Sequence, residues 1–269
     1  MSPAVAQRNI FTAAELARLR TLNLPETDGK PMGSDWQRIM TSLLVAIGRN
    51  VFRRKRGYFG GDMCLYYSLK QSLEEDFLGP DFFYVRDADP HKPRKKWEVW
   101  NENNQFPNLI IEYLSPSTRA NDLGKKKDLF EQTFQTHEYF AYDPDDNTLL
   151  GWRRSPLTNR YEPLEADHTG RMFSEELQLW LGPWRGKIQD HKATWLRFFH
   201  EDGSLVLSPE EDARQLAATE RAGKEVERAA KETERAAKEA ALAAEDKERV
   251  AKEAALAEVE RLRKLLKSQ

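Results

Sequence analysis

NLIIEYLSPSTRANDLGKK, running from Asn108 to Lys126, sets one carboxylate in an apolar run and follows it with a lysine-bearing segment. Leu109, Ile110, Ile111, Tyr113 and Leu114 are aliphatic or aromatic, and the run is short for a buried helix, so it reads as a buried strand. Glu112 in its middle is the anomaly. An unpaired buried carboxylate is costly, so Glu112 must meet a cation, a metal or water at a cleft edge. Ser115-Pro116-Ser117-Thr118 ends the strand as a turn, and Asn121 or Asp122 is placed to cap a helix reaching about Thr133.

Upstream, GPDFFYV raises the same question with a second acid. Pro80 has no backbone donor and suits a strand start, which sets Asp81 at the mouth of a strand from Phe82 to Val85. Taken alone, Asp81 is better explained as a turn cap; Glu112 changes that. Farther upstream, Trp36, Ile39, Met40, Leu43, Leu44, Ile47 and Val51 recur at helical spacing and predict a helix from Trp36 to about Arg53 that packs on a sheet. A shorter helix is expected from Thr12 to about Arg20, and short strands at Tyr58–Gly61 and Cys64–Tyr67. The basic run Arg53-Arg54-Lys55-Arg56 suits the negative end of a helix dipole, which explains it better than a phosphate contact does. Trp97-Glu98-Val99-Trp100 alternates and predicts a hairpin strand between the Asp81 and Glu112 strands. His91, Lys92, Arg94, Lys95 and Lys96 cluster on the preceding loop, a patch that suits phosphate backbone or plain solubility.

Downstream, Glu138-Tyr139-Phe140-Ala141-Tyr142 reads as a core strand, stopped by Asp143-Pro144-Asp145-Asp146-Asn147 and paired by Leu149 to Arg153. Strands are also expected near Tyr161 and over Trp195 to Phe199, while the rest of the stretch to Val206 has no clear period. His137, His168, His191 and His200 lack metal-ligand spacing. At Ser208 the composition changes. Ser208-Pro209-Glu210-Glu211 is a helix start, with a capping serine, proline in the first turn and acids behind it. The near-repeats ERAGKE, ERAAKE and ERVAKE keep a heptad phase and set Glu one turn before Lys, as in Glu227 to Lys231 and Glu234 to Lys238. Ala222, Ala229, Ala236, Ala243, Val250 and Ala257 form a thin seam, as compatible with a solvated single helix as with a coiled coil. The expected division is a globular domain at 1–207 and a charged, alanine-rich helix at 208–269.

The 269 residues carry 42 basic and 44 acidic side chains for a net charge of -2. The tail holds 14 and 15 of these, leaving 28 and 29 upstream, so neither part is drawn as a whole to nucleic acid or anionic membrane. The single cysteine, Cys64, forms no internal disulfide, which fits a reducing cytoplasm. The first residues lack the apolar core of a signal peptide, and no run approaches the ~18 apolar residues of a membrane span. A cytoplasmic protein without a membrane partner is expected.

Two carboxylates on neighbouring strands, Asp81 and Glu112, with a lysine close by, are what hydrolysis of a phosphodiester needs. Hard oxygen ligands suit Mg²⁺ or Mn²⁺, which polarises the phosphate, and an ammonium orients water or offsets developing charge. On a helical wheel Leu123, Phe130 and Phe134 mark the buried face; Lys126 lies between Leu123 and Phe130, Lys127 is nearly as well placed, and Lys125 points away.

GPDFFYV, NLIIEYLSPSTR, DLGKKKDLF and EYFAYDP together resemble, in order and spacing, the Uma-two family of bacterial restriction-endonuclease-like proteins, itself similar to PD-(D/E)XK nucleases. The resemblance covers roughly residues 24 to 207, extends to DGKPMGSDWQR, and takes in the charged tail that many members carry. It implies a restriction-endonuclease-like α/β core, a mixed central sheet flanked by helices, followed by a long C-terminal helix. It also implies that Asp81 and Glu112 bind the metal and that Lys126 is the catalytic lysine. The chain departs from the parent nuclease pattern at Leu114, where the lysine would stand, and from relatives at Asn108, where aspartate is frequent. The implied activity is Mg²⁺-dependent cleavage of DNA, with DNA as partner and self-association through the core or the tail left open. The rival class is a catalytically inactive nuclease-like scaffold acting through its C-terminal helix, since fold does not fix function.

Overall fold

The computed structural model describes residues 10–26, 34–53, 57–74 and 76–267. Arg54 to Arg56 of the basic run and residues 27–33 ahead of the long helix lie outside the described residues. In chain order the first elements are α1 (Ala13–Leu19), α2 (Asp35–Val51), β1 (Gly57–Gly60), β2 (Leu65–Tyr66), α3 (Leu69–Glu74), β3 (Phe82–Arg86), β4 (Trp97–Glu98) and β5 (Leu109–Tyr113). A lysine helix follows as consecutive α and π turns, Arg119–Asn121, Asp122–Lys126, Lys127–Leu129 and Phe130–Phe134. Then come β6 (Glu138–Asp143), β7 (Thr148–Arg154), β8 (Tyr161–Pro163), β9 (Met172–Ser174), β10 (Leu179–Ile188), β11 (His191–Phe199) and the tail helix Pro209–Lys267. The chain divides into two units, residues 1–209 and 210–269.

The first unit is built on a mixed six-stranded sheet in the order β1-β3-β5-β6-β7-β8. Only β5 and β6 run parallel, and the lysine helix is the crossover that such a pair requires. Alternation along each strand divides the core. Phe82, Tyr84, Leu109, Ile111, Phe140 and Tyr142 pack with Ile39, Leu43, Leu44 and Ile47 of α2 and with the inner faces of β10 and β11. Phe83, Val85, Ile110, Tyr139 and Ala141 face the other way, against Phe130 and Phe134 of the lysine helix. Truncating a fully buried member such as Leu44 to alanine should cost about 2–5 kcal/mol. The α2 helix starts where Ser34 accepts a hydrogen bond from Gln37 N–H, and Thr12 and Glu15 close a capping box on α1.

Three local expectations are corrected. Trp97-Glu98-Val99-Trp100 is no hairpin strand: β4 stops at Glu98, pairs in parallel with β2, and passes into a tight turn over Val99–Asn101. Val99 opens that turn, its carbonyl accepting from Glu102 N–H at 3.2 Å and Asn104 N–H at 2.9 Å, so it has no strand partner to offer. As a result β3 pairs directly with β5. The lysine helix begins at Arg119 rather than after an Asn121 or Asp122 cap, because the Ser115 carbonyl accepts from Arg119 N–H at 2.9 Å and the Ser115 hydroxyl from Thr118 N–H at 3.2 Å. Finally, β9 and β10 join β11 in a second, three-stranded sheet. Gly182, Pro183 and Gly186 hide β10 in the sequence; Pro183 is tolerated because β9 pairs only with Leu179 to Leu181.

The cations of the 91–96 loop are largely spent inside the fold. Lys92 and Arg94 hold Glu102 at 2.6 and 2.8 Å, and the Arg94 guanidinium lies over Tyr58 and Trp97. Lys95 meets Glu26 and Lys96 meets Glu98, at 3.1 and 3.7 Å. The tail helix, taken by itself, presents exposed side chains along nearly all its described length, and Lys231 and Lys238 pair with Glu227 and Glu234 at 2.6 and 2.7 Å. Among the described residues no helix is long and apolar enough to cross a membrane.

Candidate active site

The register of β3 on β5 places the two acids before any side chain is considered. Phe82 lies opposite Ile111 and Phe83 opposite Ile110, so one step further Asp81 falls opposite Glu112. Glu112 alternates with Ile111 and Tyr113 and therefore shares the face of Ile110, beneath the lysine helix. Asp81 sits just past the end of β3, where Tyr113 N–H has lost its strand partner; Asp81 Oδ2 accepts it at 2.6 Å.

The two carboxyl groups meet. Asp81 is 7% exposed and Glu112 1%, and the Asp81 backbone N–H donates to Glu112 Oε2 at 3.5 Å. Burial pushes Asp81 above the usual carboxylate range, against the pull of Tyr113 N–H, Lys126 and Gln37. Burial pushes Glu112 well above that range; Lys126 draws it down, and the Asp81 and Asp122 charges raise it again.

Lys126 answers the question that Glu112 posed. Its Nζ stands 3.2 Å from Glu112 Oε1 and 2.9 Å from Asp122 Oδ1, with the lysine itself largely covered. Burial opposes the ammonium, but the Glu112 and Asp122 carboxylates more than offset this and hold its pKa above the ordinary lysine value. Of the other two lysines, Lys127 lies over the Trp152 ring at 4.8 Å and Lys125 is exposed. The π turn spans Asp122 to Lys126, the same residues that present the ammonium to the acids.

Three neighbours were not legible as site residues. Gln37 Nε2 donates to Asp81 Oδ1 at 2.5 Å from the first turn of α2 and fixes that carboxylate from the opposite layer. Asp122 read as a helix cap, although its spacing one turn before Lys126 was the available signal. Asp62 is the fourth acid, the most open of the group, pushed up to about 6 by partial burial and by the Asp81 charge. Gly61 lets the chain pass this close: a Cβ there would stand 2.4 Å from the Asp81 carbonyl oxygen.

Among the described residues no group of three or more His, Cys, Asp and Glu side chains is arranged to hold a metal. The donor set is therefore the Asp81–Glu112 pair. Two hard, buried carboxylates that repel each other, one with its backbone and side-chain partners in place, fit a small divalent ion of the Mg²⁺ kind, which takes one or two carboxylates and fills its shell with water and phosphate oxygens.

A family model, Uma2, described as "Putative restriction endonuclease", matches residues 28–184. The chain belongs to the Uma2 family. The matched span is more than half of the chain and holds Gln37, Asp62, Asp81, Glu112, Asp122 and Lys126, every member of the cluster. It ends within β10, before the tip of the β10–β11 hairpin and the tail helix. No curated protein matches the chain. As a Uma2 protein it has a restriction-endonuclease-like core and falls in the nuclease class of hydrolases.

Proposed function

We propose that this Uma2 protein is a divalent-metal-dependent endonuclease that hydrolyses DNA phosphodiester bonds at the Asp81–Glu112–Lys126 cluster. The observation that supports this most is the buried carboxyl pair with a charged lysine 3.2 Å from one member. A fold needs no such arrangement for stability, because replacing a buried ion pair by apolar groups is usually neutral or stabilising.

Asp81 and Glu112 would hold Mg²⁺ or Mn²⁺, and the ion would supply Lewis acidity toward a phosphoryl oxygen. Gln37 and Tyr113 N–H keep the Asp81 carboxylate aimed, so the ligand pair is set before substrate arrives. The Lys126 ammonium, held by Glu112 and Asp122 but still part-exposed, is placed to donate to a non-bridging phosphate oxygen as negative charge builds there. Burial of both acids excludes bulk water from the pair and strengthens each of these contacts.

Nicking of supercoiled plasmid with Mg²⁺, Mn²⁺ or chelator tests the reading. The wild type should nick with metal and not with chelator, and Asp81→Asn and Glu112→Gln, both nearly isosteric, should each lower the rate at least about a thousandfold with the fold intact. Nicking that survives both substitutions would overturn the assignment of cleavage to this pair, and none with any divalent ion would favour the inactive scaffold instead.

A further inference from the structure

The β10–β11 hairpin has two unlike faces. Its register pairs Arg185 with Thr194 and Lys187 with Lys192, and in alternation with these Gly186 with Ala193 and Ile188 with His191. Directly opposed residues share a face, so Arg185, Lys187, Lys192 and Thr194 lie on one side of the ribbon, and Trp184, Trp195, Ala193 and Ile188 on the other. The apolar side packs on the α2 layer. The cationic side is open: Arg185, Lys187 and Lys192 are exposed, and Gln189 and Asp190, both at positive φ, close the ribbon in a two-residue turn.

These cations differ from those of the 91–96 loop. Among the described residues Arg185 and Lys192 meet no carboxylate, and Lys187 meets only Asp190 of its own turn, at 2.5 Å. The ribbon is also tied to the site end of α2. Trp36 Nε1 donates to the Thr194 carbonyl at 3.4 Å, the Trp36 and Trp195 rings are stacked 6.0 Å apart, and His191 lies 3.6 Å from Asp35. The next residue, Gln37, holds Asp81.

We infer that the distal β10–β11 hairpin, through Arg185, Lys187 and Lys192, is the surface that engages duplex DNA and sets it against the Asp81–Glu112 site. The inference rests on the proposed nuclease reading for the role of that site, but the contact itself is electrostatic and independent of cleavage. From the Arg185–Thr194 pair to the turn the ribbon is about 13 Å long, and a two-stranded ribbon fits the major groove of B-form DNA, about 12 Å wide. The tip lies beyond residue 184, where the family match ends.

The test is binding of a fluorescent duplex of about two helical turns to the full chain, by anisotropy across a salt series in chelator, so that no cleavage occurs. The variant Arg185→Gln/Lys187→Gln/Lys192→Gln is set against Lys231→Gln/Lys238→Gln/Lys252→Gln, which removes the same charge from the tail helix. The hairpin variant should bind at least about tenfold more weakly at about 0.1 M salt, with the slope of log affinity against log salt reduced by about 2 to 3, while the tail variant keeps both. Single Lys192→Gln should show a smaller loss in the same direction, guarding against a folding defect in the triple variant. Equal losses in the two triple variants, unchanged binding by the hairpin variant, no duplex binding by the wild type, or tighter binding of A-form duplex RNA, whose major groove excludes a ribbon, would each overturn the inference. Hairpin-dependent binding by a wild type that never nicks plasmid would uphold the inference and remove the nuclease reading.

Discussion

Asp122 and Lys126 in the core and Glu227 and Lys231 in the tail are the same motif, an acid one helical turn before a lysine, with oxygen–nitrogen distances of 2.9 and 2.6 Å. Their surroundings differ: the core pair is 2% and 22% exposed at its side chains, the tail pair 66% and 73%. In water a unit pair at contact is worth about 1 kcal/mol before entropy and screening, while in a covered site the same charges act through an effective dielectric several times lower. Spacing therefore makes the pair, and burial decides what it does. In the tail it contributes to helix surface stability; in the core it holds an ammonium against Glu112, beside a second acid.

Lys126→Met should give the largest effect in this comparison. It removes the only cation within contact of Glu112 among the described residues, leaving a buried acid uncompensated, at a cost of about 3 kcal/mol. Metal-dependent nicking should fall at least about a hundredfold, whereas Lys127→Met, which loses only an indole contact, should keep most of it. The stability loss has a pH signature. The folded-state pKa of Glu112 is raised, so its contribution to stability is full below the unfolded carboxylate value and is lost as pH rises through the folded value. Lys126 restrains that rise; without it the loss deepens on the alkaline side. Urea melts should show a larger deficit at pH 8 than at pH 5, and a flat profile would show that Glu112 does not depend on Lys126.

Gly61→Ala tests the covered side from the backbone. The new Cβ would stand 2.4 Å from the Asp81 carbonyl oxygen and 2.5 Å from Thr41 Cγ2, so the chain must shift where it supports Asp81. A loss of about 1–3 kcal/mol is expected, with nicking reduced and no charge altered. Unchanged melting and activity would mean that the Asp81 corner tolerates more displacement than this packing implies.

How much of this was readable follows the same division. The strand with Glu112, the α2 face and the tail helix rest on short-range periodicity, and the structure places them within a few residues of the expected ends. Asp81 was separated from a turn cap only by the second acid, and the wheel left Lys127 beside Lys126, so the family resemblance made the choice of lysine. Gln37, Asp62 and Asp122 were not legible, since each acquires its meaning from a partner on another element or from a π turn that a regular wheel does not contain. The Trp97 segment failed for a related reason: its alternation was genuine, but the pairing of β4 with β2 and the turn over Val99–Asn101 are tertiary facts. Strand β10 was hidden by Gly182, Pro183 and Gly186, which only its incomplete pairing excuses.

An intermediate case sits at the other end of β6. His137 Nδ1 lies 2.8 Å from Glu176, which Arg86 also holds at 2.5 Å, and this close carboxylate raises the His137 pKa despite partial burial. The sign follows: a raised folded-state value means the stability it contributes is full below the unfolded histidine pKa and is lost as pH rises through the folded one. His137→Gln should cost about 1 kcal/mol or less near pH 6, since the ring is one-third exposed and screened, and nearly nothing near pH 9. A cost that is the same at both values would assign His137 to packing rather than charge.

The smallest effect is expected in the tail. Lys231→Gln removes one Glu-to-Lys pair from a helix of 59 residues whose neighbours repeat the arrangement, so no buried group is orphaned and Glu227 keeps its water. Pairs of this kind stabilise a helix surface by about 0.3–0.5 kcal/mol at low salt. Glutamine is nearly as good a helix former as lysine, so propensity adds little to the change. Thermal melting of the full chain followed by far-ultraviolet circular dichroism should therefore show a slight early loss of helicity at low salt. That loss should vanish near 1 M salt, where the screening length is about 3 Å, whereas the Lys126→Met deficit should persist because its charges are covered. If Lys231→Gln instead costs several kcal/mol and resists salt, the tail pair is covered in solution, and a coiled coil through the alanine seam becomes the explanation to pursue.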